Sequence, residues 1–177
     1  MFGKNEIVGQ KYFDDAGDKL FVTSIFYTLQ GEGPYRGEPA VFVRLAKCNL
    51  ACSFCDTYFD GGDWLTFDEI DLRIGNVLKE YFDGGIPEWA SSKIGLVITG
   101  GEPMLQQKAI MAILQELSQR GNMPRIVTVE TNATQKLSDD LRRFIAMDFR
   151  MYGGIRWHWS MSPKLFNVSG ETDATIP

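Results

Sequence analysis

All three cysteines of this chain fall within eight residues: Cys48, Cys52 and Cys55, in the run CNLACSFCDT. The spacing is C-x3-C-x2-C. Three thiolates so spaced can hold three corners of a cubic four-iron cluster and leave the fourth iron open to a ligand. A cluster closed by four cysteines usually carries electrons only, and this chain has no fourth cysteine. An odd number of cysteines speaks against a disulfide framework. A chain of 177 residues can bury a core without such staples. Two structural alternatives stand beside the cluster. One is zinc held by three cysteines and the single histidine, His158, far downstream in RWHWSM. The other is plain burial of cysteine as a small apolar residue. The polar neighbours Asn49, Ser53 and Asp56 favour a site.

A second group with chemical potential is Gly100-Gly101-Glu102-Pro103, directly after the apolar run IGLVIT. Glycines let a backbone approach a ligand closely, and a carboxylate beside them can accept hydrogen bonds from an ammonium group. Alone, the same four residues are equally a tight turn with a solvated glutamate.

These groups need a scaffold, and the chain reads as alternating strands and helices. Strands are predicted at Leu20–Thr28, Ala40–Leu45, Ile94–Thr99, Arg125–Glu130 and Ile155–Met161, from runs of β-branched, aromatic and aliphatic residues. Thr66 and Glu69 form a capping-box pattern that opens a helix running to about Tyr81. A second helix starts near Met104, with Leu105, Ala109, Ile113 and Leu117 facing the sheet, and ends at Gly121. A third covers Leu137–Met147, with Ser138 or Asp139 near its start. Asp83–Lys93 is a connecting loop. Alternation of this kind implies βα units, a mostly parallel sheet and a ligand at the carboxyl ends of the strands. The cysteine run, GGEP, ETN and SPK all fall at such ends. His158, between Trp157 and Trp159, reads as a packed strand residue on a strand with two unlike faces.

Composition bounds the rest. The chain is 44% hydrophobic and 23% charged, as soluble domains are. No apolar run is long enough for a membrane span, and the N-terminal run MFGKNEIVGQKYFDD has no signal-peptide core. A net charge of −5 argues against a large nucleic-acid surface. Reduced cysteines without an export signal predict a cytoplasmic protein.

The motifs together resemble the radical S-adenosylmethionine superfamily. TLQGEGPYRGEPAVFVRLAKCNLACSFCDT, residues 28–57, with VITGGEP, VTVETN and WSMSPKLFNVSGE following in order, closely resembles the 7-carboxy-7-deazaguanine synthases. The resemblance covers residues 19–171, and the whole chain, 1–177, is expected to be a single radical SAM domain: an α/β fold, a partial βα barrel. It implies a [4Fe-4S] cluster, S-adenosylmethionine and magnesium. It implies a ring contraction of 6-carboxy-5,6,7,8-tetrahydropterin with loss of ammonia, started by a 5′-deoxyadenosyl radical, in queuosine-type deazapurine biosynthesis. By the same resemblance Cys48, Cys52 and Cys55 ligate the cluster. Phe54, Cys55, Asp56, Gly101, Glu102, Ser162, Pro163 and Lys164 hold the cofactor, Glu102 by taking its methionyl amino group. Leu29, Gln30, Gly31, Arg44 and Thr99 meet the substrate, and Thr57 ligates magnesium. Glu130 and Asn132 of ETN are expected to face the cofactor. An external flavodoxin-like or ferredoxin-like electron donor is implied.

In this family a further strand–helix–strand stretch follows SGETDATIP, where this chain stops at Pro177. A homodimer or a rearranged C-terminus is therefore expected to cover the sheet edge. Activases that make a glycyl radical on a partner protein share the cysteine spacing and GGEP, but not LQGEG or SPKL. A non-catalytic iron–sulfur or zinc protein is the third reading.

Overall fold

The structure, a computed structural model, describes residues 17–82, 93–151 and 155–164. Among these, six strands form one sheet: β1 (Lys19–Leu29), β2 (Pro39–Leu45), β3 (Asp63–Thr66), β4 (Gly95–Gly100), β5 (Ile126–Thr131) and β6 (Arg156–Met161). Three α-helices accompany them: α1 (Phe67–Lys79), α2 (Gln107–Gln119) and α3 (Asp139–Met151). The strand order is β3-β1-β2-β4-β5-β6. β2, β4, β5 and β6 run parallel, while β1 pairs antiparallel with both β2 and β3. The sheet is open, an α/β half-barrel whose edges among the described residues are β3 and β6. No helix among them is long and apolar enough to cross a membrane.

The five strands read from sequence are present. The capping box is present too: Glu69 N–H donates to Thr66 Oγ1 and Thr66 N–H to Glu69 Oε2. β3 was not foreseen. It is four residues, DWLT, after a pair of glycines, and it exists because β1 offers it a ladder from Lys19 to Val22. The second helix starts later than its periodicity suggests. Pro103–Gln106 is a 3-10 turn, and α2 begins at Gln107. Residues 83–92, nearly all of the expected loop Asp83–Lys93, and residues 165–177 lie outside the described residues.

Alternation gives each strand two different faces. Val41, Val43, Leu45, Leu96, Ile98, Val127 and Val129 face outward into the main core, where Ile70, Ile74 and Leu78 of α1 and Ile110, Leu114 and Leu117 of α2 meet them. Trp157 and Trp159 pack against the same core. The opposite, inner face carries a small patch of Phe26, Ala40, Phe42 and Val97 and then turns polar towards the strand ends.

β1 changes partner along its length, with an irregularity between Val22 and Ser24. Gln106, 3% exposed, fills the break. Its Oε1 accepts Phe21 N–H at 2.8 Å, and its Nε2 donates to Phe21 O and Ala46 O, each at 3.2 Å. The side-chain amide thus stands in for a missing strand rung and ties the 3-10 turn to the entrance of the cysteine loop. Gln106→Leu keeps the volume but removes three buried hydrogen bonds, each worth about 1 kcal/mol. The expected loss is about 3 kcal/mol, read as a lower urea midpoint with an unchanged slope. An unchanged midpoint would show that the rung is dispensable.

Candidate functional site

The cysteine loop leaves β2 at Leu45 and is clamped to the end of β4 by backbone alone. Gly101 N–H donates to Leu45 O at 3.0 Å and Glu102 N–H to Lys47 O at 2.9 Å. The approach is so close that only glycine fits: a Cβ on Gly100 would lie 2.1 Å from Leu45 O, and one on Gly101 1.9 Å from Lys47 O. Lys47, just before Cys48, has a left-handed φ of 70°, a conformation costly for a side-chain-bearing residue. Its N–H is held by Phe59 O at 2.6 Å.

Beyond this clamp lies a cleft of about 320 Å³ lined by Cys48, Cys52 and Cys55 with Phe54, Asp56, Thr57, Gly100, Gly101, Asn132 and Lys164. No disulfide joins the cysteines. Cys48 is buried, Cys52 half-buried and Cys55 exposed. Among the described residues no three Cys, His, Asp or Glu side chains converge on one ion. A cubic cluster does not require that, because each cysteine takes a separate iron; a zinc ion does. His158 stays out of the cleft. It packs edge-on to Tyr35 and over Gly33, where a Cβ would come within 2.7 Å of its Nε2. Gly33, the second glycine of LQGEG, has a left-handed φ of 67°, which favours glycine, and a side chain there would also push on this ring. Burial pushes the Cys48 thiol up to about 12, against the pull of the Leu50 N–H. A metal that replaces the proton relieves this penalty by neutralising the thiolate. The donor set, the cleft and its glycine wall fit an iron–sulfur cluster.

Glu102 does not reach the cleft. It is 0% exposed. Oε1 accepts from Met104 N–H at 2.8 Å and from Thr131 Oγ1 at 2.7 Å, and Oε2 accepts Asn132 N–H at 2.7 Å. The carboxylate braces the end of β4 against the end of β5, and Gly100 and Gly101 form the surface at the cleft. Burial holds its carboxyl above the ordinary value of 4.5, while those three donors pull it down. A carboxyl with a raised native pKa binds its proton more tightly folded than unfolded, so stability falls as pH climbs above 4.5 and levels once the native group has ionised. The metal-free protein should accordingly lose melting temperature over that interval more steeply than Glu102→Gln does. Parallel slopes would contradict this.

A second polar group lies on the inner face. Arg44 of β2 is in register with Thr99 of β4, and Glu130 of β5 with Ser160 of β6. Thr99 Oγ1 donates to Glu130 Oε2 at 2.7 Å, and Gln30 Nε2 to Glu130 Oε1 at 3.3 Å. Ser160 Oγ donates to Glu32 Oε2 at 3.2 Å, and Glu32 N–H to Gln30 Oε1 at 3.2 Å. Arg44 stacks over Phe26, 5.0 Å from the ring centroid. Four strands thus present a polar row, Arg44-Thr99-Glu130-Ser160, with Gln30 bound to it. Leu29 is 60% exposed, and a Cβ on Gly31 would meet nothing within 4 Å.

The structure splits the ETN residues. Glu130, within β5, belongs to the inner-face row through Thr99 and Gln30 and does not line the cysteine cleft. Asn132, two residues on and past the strand end, reaches the cleft wall. Ser162 is tied to β5 through Ser162 N–H to Thr131 O at 2.9 Å. Lys164 Nζ donates to Ser162 Oγ at 2.8 Å and sits 5.5 Å over the Phe54 ring. That brings the SPK segment against the cysteine loop; Pro163 is exposed and does not line the cleft.

The model of the 4Fe-4S single cluster domain family matches residues 29–153, from LQGEG through α3. The chain belongs to this family. The chain is 38% identical over 135 residues to the 7-carboxy-7-deazaguanine synthase of Rhodospirillum rubrum, covering 76% of this chain and 50% of the relative. It is 38% identical over 120 residues to the synthase of Bacteroides thetaiotaomicron, covering 68% of this chain and 56% of that one. The chain spans about half the length of the curated relatives it matches. The crystal structure of QueE from Escherichia coli shares the fold, with a TM-score of 0.54 at 21% identity, over 89% of this chain and 66% of that one.

Proposed function

We propose that the chain, residues 1–177, is a single radical SAM domain and a 7-carboxy-7-deazaguanine synthase that contracts the ring of 6-carboxy-5,6,7,8-tetrahydropterin. The observation that carries the reading is the meeting of two sites at one strand end. Thr99 belongs to the inner-face polar row, and Gly100, the next residue, belongs to the cysteine cleft. A substrate on the row therefore lies beside whatever the cysteines hold. When bound, the cluster and S-adenosylmethionine supply reductive carbon–sulfur cleavage and hydrogen-atom abstraction.

The protein's own groups bind and orient. Cys48, Cys52 and Cys55 take three irons. The Gly100–Gly101 backbone, Phe54, Asp56 and the Ser162–Lys164 segment receive the cofactor, with Glu102 fixing that backbone from behind. Arg44 pairs with the substrate carboxylate, while Gln30 and Thr99, joined through Glu130, read the pterin edge. Thr57 Oγ1, which donates to Asp56 Oδ1 at 3.1 Å, would be the protein's oxygen ligand to a magnesium ion that would otherwise rely on water and substrate oxygens. Thr57→Ala should raise the magnesium concentration for half-maximal activity about tenfold, the loss of one oxygen ligand, with iron content unchanged. An unaltered magnesium dependence would remove Thr57 from the metal site. The activase reading is not favoured, since the curated matches bear the synthase name.

The test is an anaerobic assay with reductant, magnesium, S-adenosylmethionine and the carboxytetrahydropterin. The expected result is the deazaguanine acid with little net cofactor consumption. Cofactor cleavage without pterin turnover would overturn the assignment.

A further inference from the structure

Asn132 is held at its backbone N–H and at both polar atoms of its side chain. Its backbone N–H donates to the buried Glu102 carboxylate. Its side-chain Oδ1 accepts both Thr134 N–H at 3.0 Å and Thr134 Oγ1 at 2.7 Å. Two donors on one amide oxygen settle which way the amide points. Nδ2 must face the other way, where it donates to Asn49 Oδ1 at 3.1 Å and to Cys48 Sγ at 3.8 Å. Asn49 is held in turn, its Nδ2 donating to Thr134 Oγ1 at 2.8 Å. The ring Asn132–Asn49–Thr134 closes on itself beside the cysteine. Asn132 is 7% exposed and Cys48 6%, so water does not compete for this sulfur from that side. Leu50 N–H, 3.4 Å away, is a second donor to Cys48 Sγ.

We infer that the Asn132 side-chain amide raises the reduction potential of the cluster held at Cys48 by donating a hydrogen bond to its sulfur. This rests on the cluster reading above. Reduction adds negative charge to the cluster, and part of that charge sits on the ligating sulfurs. A fixed N–H dipole aimed at one sulfur stabilises the reduced form more than the oxidised form, and the potential rises. Asn132 is a positioning residue here. It touches the ligand and not the reacting atoms, and the three residues around it keep its donor aimed.

The test is an electron-paramagnetic-resonance redox titration of anaerobically reconstituted protein, without S-adenosylmethionine or substrate. In Asn132→Leu at full iron loading, the reduced-to-oxidised ratio at fixed potential should fall about tenfold, about 59 mV for a one-electron couple. Thr134→Val removes the hydroxyl that aims the amide and leaves Asn132 in place; it should shift the ratio the same way by a smaller factor. A fully loaded Asn132→Leu with the wild-type potential would overturn the inference. Should that variant fail to load, a loaded Thr134→Val with the wild-type potential overturns it equally. Wild-type protein that takes up no iron and sulfide would instead refute the cluster reading, before any potential is measured.

Discussion

Cys52→Ala should abolish both cofactor cleavage and pterin turnover. Cys52 stands between Cys48 and Cys55 in the cleft wall, and three thiolates are the minimum that anchors a four-iron cube while leaving one iron open. With Ala at 52 a second iron loses its protein ligand, and iron retained per chain should drop severalfold. Cys52→Ser should behave similarly, because a hydroxyl is a poor partner for iron in a sulfide-bridged cluster. The metal-free fold should hardly change. Cys52 is half-buried at the margin of a small cluster with Cys48, Leu50 and Phe59, so its truncation should cost no more than about 1 kcal/mol. The pair of measurements is iron content after reconstitution and thermal unfolding of the metal-free protein. Full activity in Cys52→Ala would end the cluster assignment.

Gly101→Ala should be nearly as severe for a different reason. The added methyl would sit 1.9 Å from Lys47 O, 2.4 Å from Lys47 C and 3.0 Å from Cys48 N. All three are backbone atoms, so no rotamer change relieves the clash. The loop must separate from β4, which breaks the hydrogen bonds from Gly101 N–H to Leu45 O and from Glu102 N–H to Lys47 O. Their loss, with the strain, should cost about 3 kcal/mol. It also displaces Cys48 itself, so Gly101→Ala should lose both iron loading and stability, whereas Cys52→Ala should lose loading with little change in stability. Wild-type loading in Gly101→Ala would show that the cysteine loop is not held by this clamp.

Much of this was legible from sequence, for physical reasons. Parallel strands buried on the helix side are continuous apolar runs, so IGLVIT and RIVTV announce themselves. The cysteine triplet is local in sequence, and its spacing alone limits what it can hold. β3 was invisible because DWLT is too short to show alternation and exists only through pairing with β1. The turn of Glu102 away from the cleft was likewise hidden, since a GGEP motif does not say which way its carboxylate rotates once Thr131 and Asn132 arrive from β5. Glu130 and Asn132 share a strand parity, and their different destinations arise only because β5 ends at Thr131 and Asn132 lies beyond it. VTVETN marks Asn132 as a candidate; its contact with Cys48, 84 residues away, is not written there.

The amide of Gln106 bridging β1 and the cysteine-loop entrance has a consequence for how the chain is assembled. Its partners lie at Phe21, 85 residues earlier, and at Ala46, 60 residues earlier. During vectorial synthesis the N-terminal hairpin and the cysteine segment emerge well before the residue that joins them. The bonds from Gln106 to β1 and to the cysteine-loop entrance can form only after both partners have been made, and contacts of such long sequence separation are slow to close. Metal delivered to the nascent chain before the 3-10 turn exists meets a cysteine loop whose entrance is not yet tied down.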